Sequence, residues 1–246
     1  MLDHQLTTVS MSPSKSETSA NMLHVTTFET APEAPRLVQH FYFPSAVYTT
    51  ARKDFIESVK PVFDENIAKA KLISSNNPTG LAVMSGNFSN DARISEFTQF
   101  VASAAWKILE GQGYDMKGMA TFFTGMWGQQ HSKSSSMPEH VHPGAQLVGF
   151  YFLETPPESS KIQIHDPRPA KIMVNMPESN ASQTTGASSI VSFTPAPGML
   201  FFANSWLPHS FTRHDAHEPL SFVHFNLGVL KTSNAVSQIR SGAEVI

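Results

Sequence analysis

The stretch Ile190–His209, IVSFTPAPGMLFFANSWLPH, holds two short apolar runs broken by Pro195-Ala196-Pro197-Gly198 and closed by a histidine. A Pro-Gly break of this kind ends one strand and starts the next. Ile190 to Thr194 and Met199 to Ala203 therefore read as β-strands, and His209 falls on a third, Pro208 to Thr212, that returns across the same sheet. The pattern continues outward in both directions. Ala120 to Trp127, Gln146 to Leu153, Ile162 to His165 and Lys171 to Asn175 precede it, and Leu220 to Leu227 follows. Eight short strands within about 110 residues predict a jelly roll or a related double-sheet barrel.

His209 has candidate partners upstream. Pro138-Glu139-His140-Val141-His142-Pro143 places two histidines one residue apart. On a strand, side chains at i and i+2 leave the same face, so these imidazoles can converge on one ion, with His209 arriving from the returning strand. A pair at this spacing also arises by chance in a chain with 11 histidines, so the strand that leads to His209 carries more of the argument. Three protein ligands leave coordination positions open, which suits a catalytic site better than a closed structural one. The chain has 0 cysteines, so ligands must be His, Asp or Glu, and imidazole favours Fe, Zn, Cu or Ni over the hard cations.

The first half of the chain has a different rhythm. Phe55, Ile56, Val59, Val62, Phe63, Ile67 and Ala70 recur at helical spacing across Asp54 to Leu72, with Pro61 expected to kink or divide the helix. Phe97, Phe100, Val101, Ala104, Ala105 and Ile108 mark a second helix over Ser95 to Leu109, stopped by Gly111 and Gly113. Such stripes face a core, and both helices are expected to buttress one sheet from outside. Phe41 to Tyr48 reads as a strand interrupted by Pro44. Residues 1–36, rich in Ser and Thr and then punctuated by Pro, read as a flexible arm. That leaves 37–246 as a single domain, with a helical buttress at about 52–113 and a β core at about 117–230. Met176 to Ser189 reads as a mobile loop, and the class is mostly β with flanking helices, α+β.

Composition narrows the function classes. Hydrophobic residues make up 40%, with 18 Phe, and charged residues only 15%, which favours an aromatic-packed β structure. A net charge of −3 offers neither nucleic acid nor anionic membrane a basic face, so neither partner is expected. The start of the chain lacks a basic-then-apolar leader, and no apolar run approaches a membrane span, which points to a cytoplasmic protein. Oligomeric state leaves no trace in the sequence. His131, His214 and His217 read as solvated loop residues, and Trp127, Trp206 and Phe225 as core aromatics.

The pieces, taken in order, resemble a known family. They are Trp127, His140-Val141-His142-Pro143, Gly149-Phe150-Tyr151-Phe152, Asp166-Pro167-Arg168, Pro197-Gly198, Ser205-Trp206-Leu207-Pro208-His209-Ser210 and Phe225-Asn226. Their order and spacing are similar to those of the Fe(II)- and 2-oxoglutarate-dependent oxygenases, in a small bacterial and phage branch related to prolyl hydroxylases. The likeness spans roughly residues 41 to 230, and no single motif in it is specific alone. It implies a double-stranded β-helix, a jelly-roll and cupin-like core, that binds Fe(II) and 2-oxoglutarate and hydroxylates an unactivated C–H bond.

Departures from the family pattern are as informative. The family's metal ligands are a His-x-Asp pair and a distal His. Here His142 stands at the Asp position, which gives a ligand set of His140, His142 and His209 with Asp166 as an alternative carboxylate. The family's Arg for the far carboxylate of 2-oxoglutarate opens the last strand, where this chain has Leu220, and Phe152 replaces a supporting Tyr. Arg213 and Arg168 are the candidate replacements, with His224 a third. The expected function is a 2-oxoglutarate-dependent hydroxylase acting on a small molecule or a peptide, with peptidyl proline one option. The alternatives are a cupin-like metalloprotein that does not use 2-oxoglutarate and a β-rich binding module without catalysis.

Overall fold

Long apolar runs such as Leu147–Glu154 form strands here because both of their faces are covered, one by helices and one by a second sheet. The computed structural model describes residues 42–74, 82–174 and 176–233, together with Val38 and His40. Backbone contacts divide the chain into Met1–Phe43 and Pro44–Ile246, and every described helix and strand lies in the second unit. The arm expected over residues 1–36 lies outside the described residues.

In chain order the elements are β1 (Val47–Ala51), α1 (Ile56–Ser74), β2 (Ala82–Met84), α2 (Ser95–Gly111), β3 (Met119–His131) and β4 (Met137–His140). There follow β5 (Leu147–Glu154), β6 (Ile162–His165), β7 (Ile190–Phe193), β8 (Met199–Asn204), β9 (His209–Phe211) and β10 (Leu220–Lys231). Two antiparallel sheets result, one ordered β1-β8-β5-β10-β3-β2 and the other β4-β9-β6-β7. The chain crosses repeatedly from one sheet to the other, which is the jelly roll expected from the strand count and the double-stranded β-helix that the resemblance implies.

β5 shows how one strand serves two cores. Val148, Phe150 and Phe152 enter the space between the sheets with Phe201, Phe211 and Phe222. Leu147, Tyr151 and Leu153 join Val59, Phe63, Phe97 and Val101 of the helices on the outer face. Gly149 belongs to that outer series, and the ring of Phe225 takes the place of its side chain. A Cβ there would lie 2.3 Å from Phe225 and 2.7 Å from the carbonyl of Phe201. The helices thus buttress the larger sheet from outside, as their stripes predict.

Several expectations need correction. Pro61 neither divides nor ends α1, because it lies exposed near the start of the helix while Val59, Val62, Phe63 and Ile67 bury the opposite side. Lys171 to Asn175 is not a strand. Pro169–Met173 forms a 3-10 helix there, with Pro169 at its start, and Asn175 lies outside the described residues. The strand read over Phe41 to Tyr48 begins only at Val47, beyond Pro44, and runs on to Ala51. β2 (Ala82–Met84) and β4 (Met137–His140) are too short for periodicity to reveal them, and β4 is mostly polar.

Candidate metal centre

The β4–β9 ladder places His140 directly opposite His209, and β6 borders β9 on its other side with Ile164 opposite His209. His142 is not on a strand, contrary to the i, i+2 expectation. β4 ends at His140, and His142 sits in the following turn, held by its backbone N–H donating to the carbonyl of Ser205 at 2.9 Å. The turn still brings the rings together. Ring centroids lie 4.9 Å apart for His140 and His142, 4.5 Å for His140 and His209, and 5.2 Å for His142 and His209. One nitrogen from each lies within 4.8 Å of the others, a cluster that can hold a metal ion.

The hydrogen bonds leave the correct nitrogens free. Nδ1 of His140 lies 2.8 Å from the carbonyl of Pro138, and Nδ1 of His209 lies 3.0 Å from that of Leu207. A carbonyl accepts only, so each Nδ1 carries the proton and each Nε2 keeps its lone pair. Nε2 of His142 and Nε2 of His209 are buried without a hydrogen-bond partner. Burial drives the pKa of both rings down to about 4, with the neighbouring imidazoles adding to it, so both are neutral at pH 7. Neutral imidazoles with orphaned lone pairs fit a borderline cation such as Fe(II).

No carboxylate joins this cluster among the described residues. Asp166 is engaged elsewhere, by Arg168 at 2.6 Å and Lys171 at 3.1 Å, and the Arg168 guanidinium holds its carboxyl far below the usual range. Glu139 turns toward His165, 3.3 Å away. The two arginines considered as carboxylate anchors stay outside as well. Arg168 is 67% exposed on its pair with Asp166, and Arg213 is 65% exposed against Asp215. Leu220 is fully buried, and no Lys or Arg is buried among the described residues.

His224 is brought in. Its ring lies 4.9 Å from that of His142, 4.2 Å from Trp127 and 4.6 Å from Phe150, and its Nε2 has no partner. His131 and His214, read as solvated, are both fully buried, and Trp206, read as core, is 50% exposed. Polar neighbours such as Lys133 and Asp215 hid the first two. The signal available for His131 was its place at the end of a strand whose alternate residues, Trp127 and Gln129, face inward.

Fold and cluster together define a class: a double-stranded β-helix protein with a three-histidine cluster, able to hold a metal ion, on its smaller sheet. Residues 125–226, which contain every member of the cluster, match the family model described as "Putative 2OG-Fe(II) oxygenase". The match covers residues 125–226, less than half of the 246-residue chain. No curated protein matches the chain. Among solved structures it is similar to AviO1 from Streptomyces viridochromogenes Tue57, at 8% identity and TM-score 0.50, covering 75% of this chain and 90% of that one. A Pseudomonas putida prolyl-4-hydroxylase is 9% identical at TM-score 0.47, covering 74% and 92% of the two chains. HygX from Streptomyces hygroscopicus, crystallised with nickel and 2-oxoglutarate, is 10% identical at TM-score 0.47, covering 75% and 83%. At such identity the likeness to AviO1 concerns the fold alone. Among the described residues no helix is long and apolar enough to cross a membrane.

Proposed function

We propose that this chain is an Fe(II)- and 2-oxoglutarate-dependent dioxygenase whose metal is held by His140, His142 and His209. The observation that carries this reading is the convergence of three imidazoles, with nitrogens within 4.8 Å of one another, inside the segment that matches the oxygenase family. When bound, iron and 2-oxoglutarate supply the oxidising chemistry that hydroxylates a C–H bond.

The chain's own residues orient and insulate that chemistry. The carbonyls of Pro138 and Leu207 lock two rings with Nε2 toward the ion, and Ser205 pins the turn that carries the third. Phe150 packs edge-on against His209, and Phe211 and Phe222 stack behind it at 5.0 Å, which keeps water from the interior side. Ser205 also lines a cavity of about 300 Å³ with Tyr114, Met116, Met119, Gln146 and Trp206. We assign that cavity to the substrate, a small molecule or peptide with an apolar body, peptidyl proline being one candidate. The cysteine-free, weakly acidic chain suits a cytoplasmic setting without nucleic acid or membrane as partner, and residues 37–246 act as one domain.

One observation favours a second reading, a cupin-like metalloprotein that does not use 2-oxoglutarate. Leu220 and the lack of any buried Lys or Arg among the described residues leave the interior without a cation. Purified protein with Fe(II), ascorbate and 2-oxoglutarate decides between them. Slow succinate release without added substrate is expected of the dioxygenase. No succinate, from protein that holds one metal per chain but binds no 2-oxoglutarate, would favour the second reading.

A further inference from the structure

The cavity bordered by Ser205 has a charge pattern that says what it can hold. Its body is apolar, with Leu109 and Met116 buried and Met119 and Val229 packed partly buried beside them. Two polar side chains in the lining are already spent. The amide of Asn204 exchanges hydrogen bonds with that of Gln112 at 3.0 and 3.1 Å, and the hydroxyl of Ser205 donates to the carbonyl of Ala145. Asp115 is different. Its exposed carboxylate accepts from the backbone N–H of Lys117 at 3.1 Å and joins no ion pair among the described residues. Among the described residues no Lys, Arg or His lines the cavity, so its one charged group is an unpaired anion.

Two aromatic rings complete the pattern. Tyr114 and Trp206 line the same cavity and are half-exposed or more, which puts them at its mouth. The face of an aromatic ring attracts a cation, and a carboxylate beside it adds to the attraction while repelling anions. A volume of about 300 Å³ stands at the lower end of the range for small-molecule pockets, enough for one apolar stem with one charged head. The cavity also borders the metal cluster. The backbone N–H of Ser205 donates to the carbonyl of Gln146 at 3.0 Å, and its carbonyl receives the N–H of His142 at 2.9 Å. A molecule in the cavity therefore lies against the backbone that holds the turn carrying His142.

We propose that this cavity takes an organic monocation, an ammonium group on an apolar stem, with its head toward Asp115 and the rings of Tyr114 and Trp206 and its stem on Leu109, Met116 and Met119. The proposal rests on the assignment of the cavity to the substrate and gives that substrate a charge. The same pattern disfavours 2-oxoglutarate, a dianion, in the cavity, so substrate and co-substrate are sorted by charge. Asp115 is the residue that sets this specificity, and Trp206 supplies a ring that supports it.

The test uses full-length protein, with and without Ni(II), and three probes that share one phenylethyl stem: 2-phenylethylamine, 2-phenylethanol and 3-phenylpropionate. Binding is followed through the indole N–H resonances of the 3 Trp, that of Trp206 being the one missing from Trp206→Leu. The wild type should bind the amine about fivefold tighter than the alcohol or more, and the propionate most weakly, the combined scale of an exposed ion pair and a cation–ring contact. The Trp206 resonance should shift most. Asp115→Asn, whose side-chain oxygen can still accept from Lys117, should cut the preference to about twofold, and Trp206→Leu should weaken the amine more than the alcohol. A wild type that binds the propionate as well as the amine, or that binds no probe, overturns the assignment, as does an Asp115→Asn protein that keeps the full preference. Amine binding that appears only with Ni(II) overturns it too, since the amine then ligates the ion. Each of these results is read without iron or 2-oxoglutarate, so it leaves intact the dioxygenase reading, which succinate release tests.

Discussion

His140 and His209 face each other across the β4–β9 ladder at a ring separation of 4.5 Å, and each donates its Nδ1–H to the carbonyl two residues before it. The same local bond, made on two paired strands, turns both Nε2 lone pairs toward one point before any metal arrives. In metal-free protein the imidazole nitrogen shifts of both residues should report the Nδ1–H tautomer. A dominant Nε2–H form for either would contradict the preset geometry.

Acid should destabilise the metal-free protein before it protonates the carboxylates. Burial lowers the pKa of His131, His142 and His209 from 6.5 to about 4 and holds that of His224 well below its ordinary value. Above pH 6.5 both folded and unfolded rings are neutral and contribute nothing to the pH dependence. As pH falls toward 4 the unfolded chain takes up protons that the folded one refuses, so stability drops across that window. Thermal unfolding between pH 8 and 5 should show this fall, and His131→Phe should remove up to about 2 kcal/mol of it. A flat profile would contradict the burial argument.

Gly149→Ala should unfold more readily than the wild type. Its Cβ would strike the ring of Phe225 and the backbone of β8 at Phe201, so relief requires a strand to move. Overpacking of this kind costs about 1–3 kcal/mol, readable as a lower urea midpoint at unchanged slope. An unchanged midpoint would mean that the larger sheet is looser than the contacts indicate.

Arg168→Ala and Arg213→Ala should change 2-oxoglutarate binding by less than about twofold, because both guanidinium groups are solvated and paired with Asp166 and Asp215. A large loss in either, measured on metal-loaded protein, would place an arginine in the site that the static geometry keeps outside.

The β core was legible because its strands are bounded by Pro and Gly and filled with Phe, as in Ile190–His209, and because the helical stripes repeat every three or four residues. The three candidate ligands were legible from the order of His140, His142 and His209 along the chain, although His142 lies in a turn rather than on the strand that its spacing suggested. What sequence concealed was long-range. Whether Asp166 reaches the cluster depends on its competition with Arg168 and Lys171, which local spacing does not show. His131 looked solvated because Ser132 and Lys133 follow it, yet it closes β3 opposite Leu220, a pairing that exists only once β10 is in register. The turn that carries His142 is likewise set by Ser205, remote in sequence.

Metal titration of the metal-free protein tests the central claim most directly. Anaerobic Fe(II), followed by calorimetry and checked by elemental analysis, should bind one ion per chain. That binding should fall by about a hundredfold or more in His140→Ala, His142→Ala and His209→Ala while Asp166→Asn keeps it, since one lost first-sphere ligand costs at least what an outer-shell partner does. A wild type without stoichiometric metal, or an Asp166→Asn protein that loses it as fully as His209→Ala, would contradict the three-histidine centre.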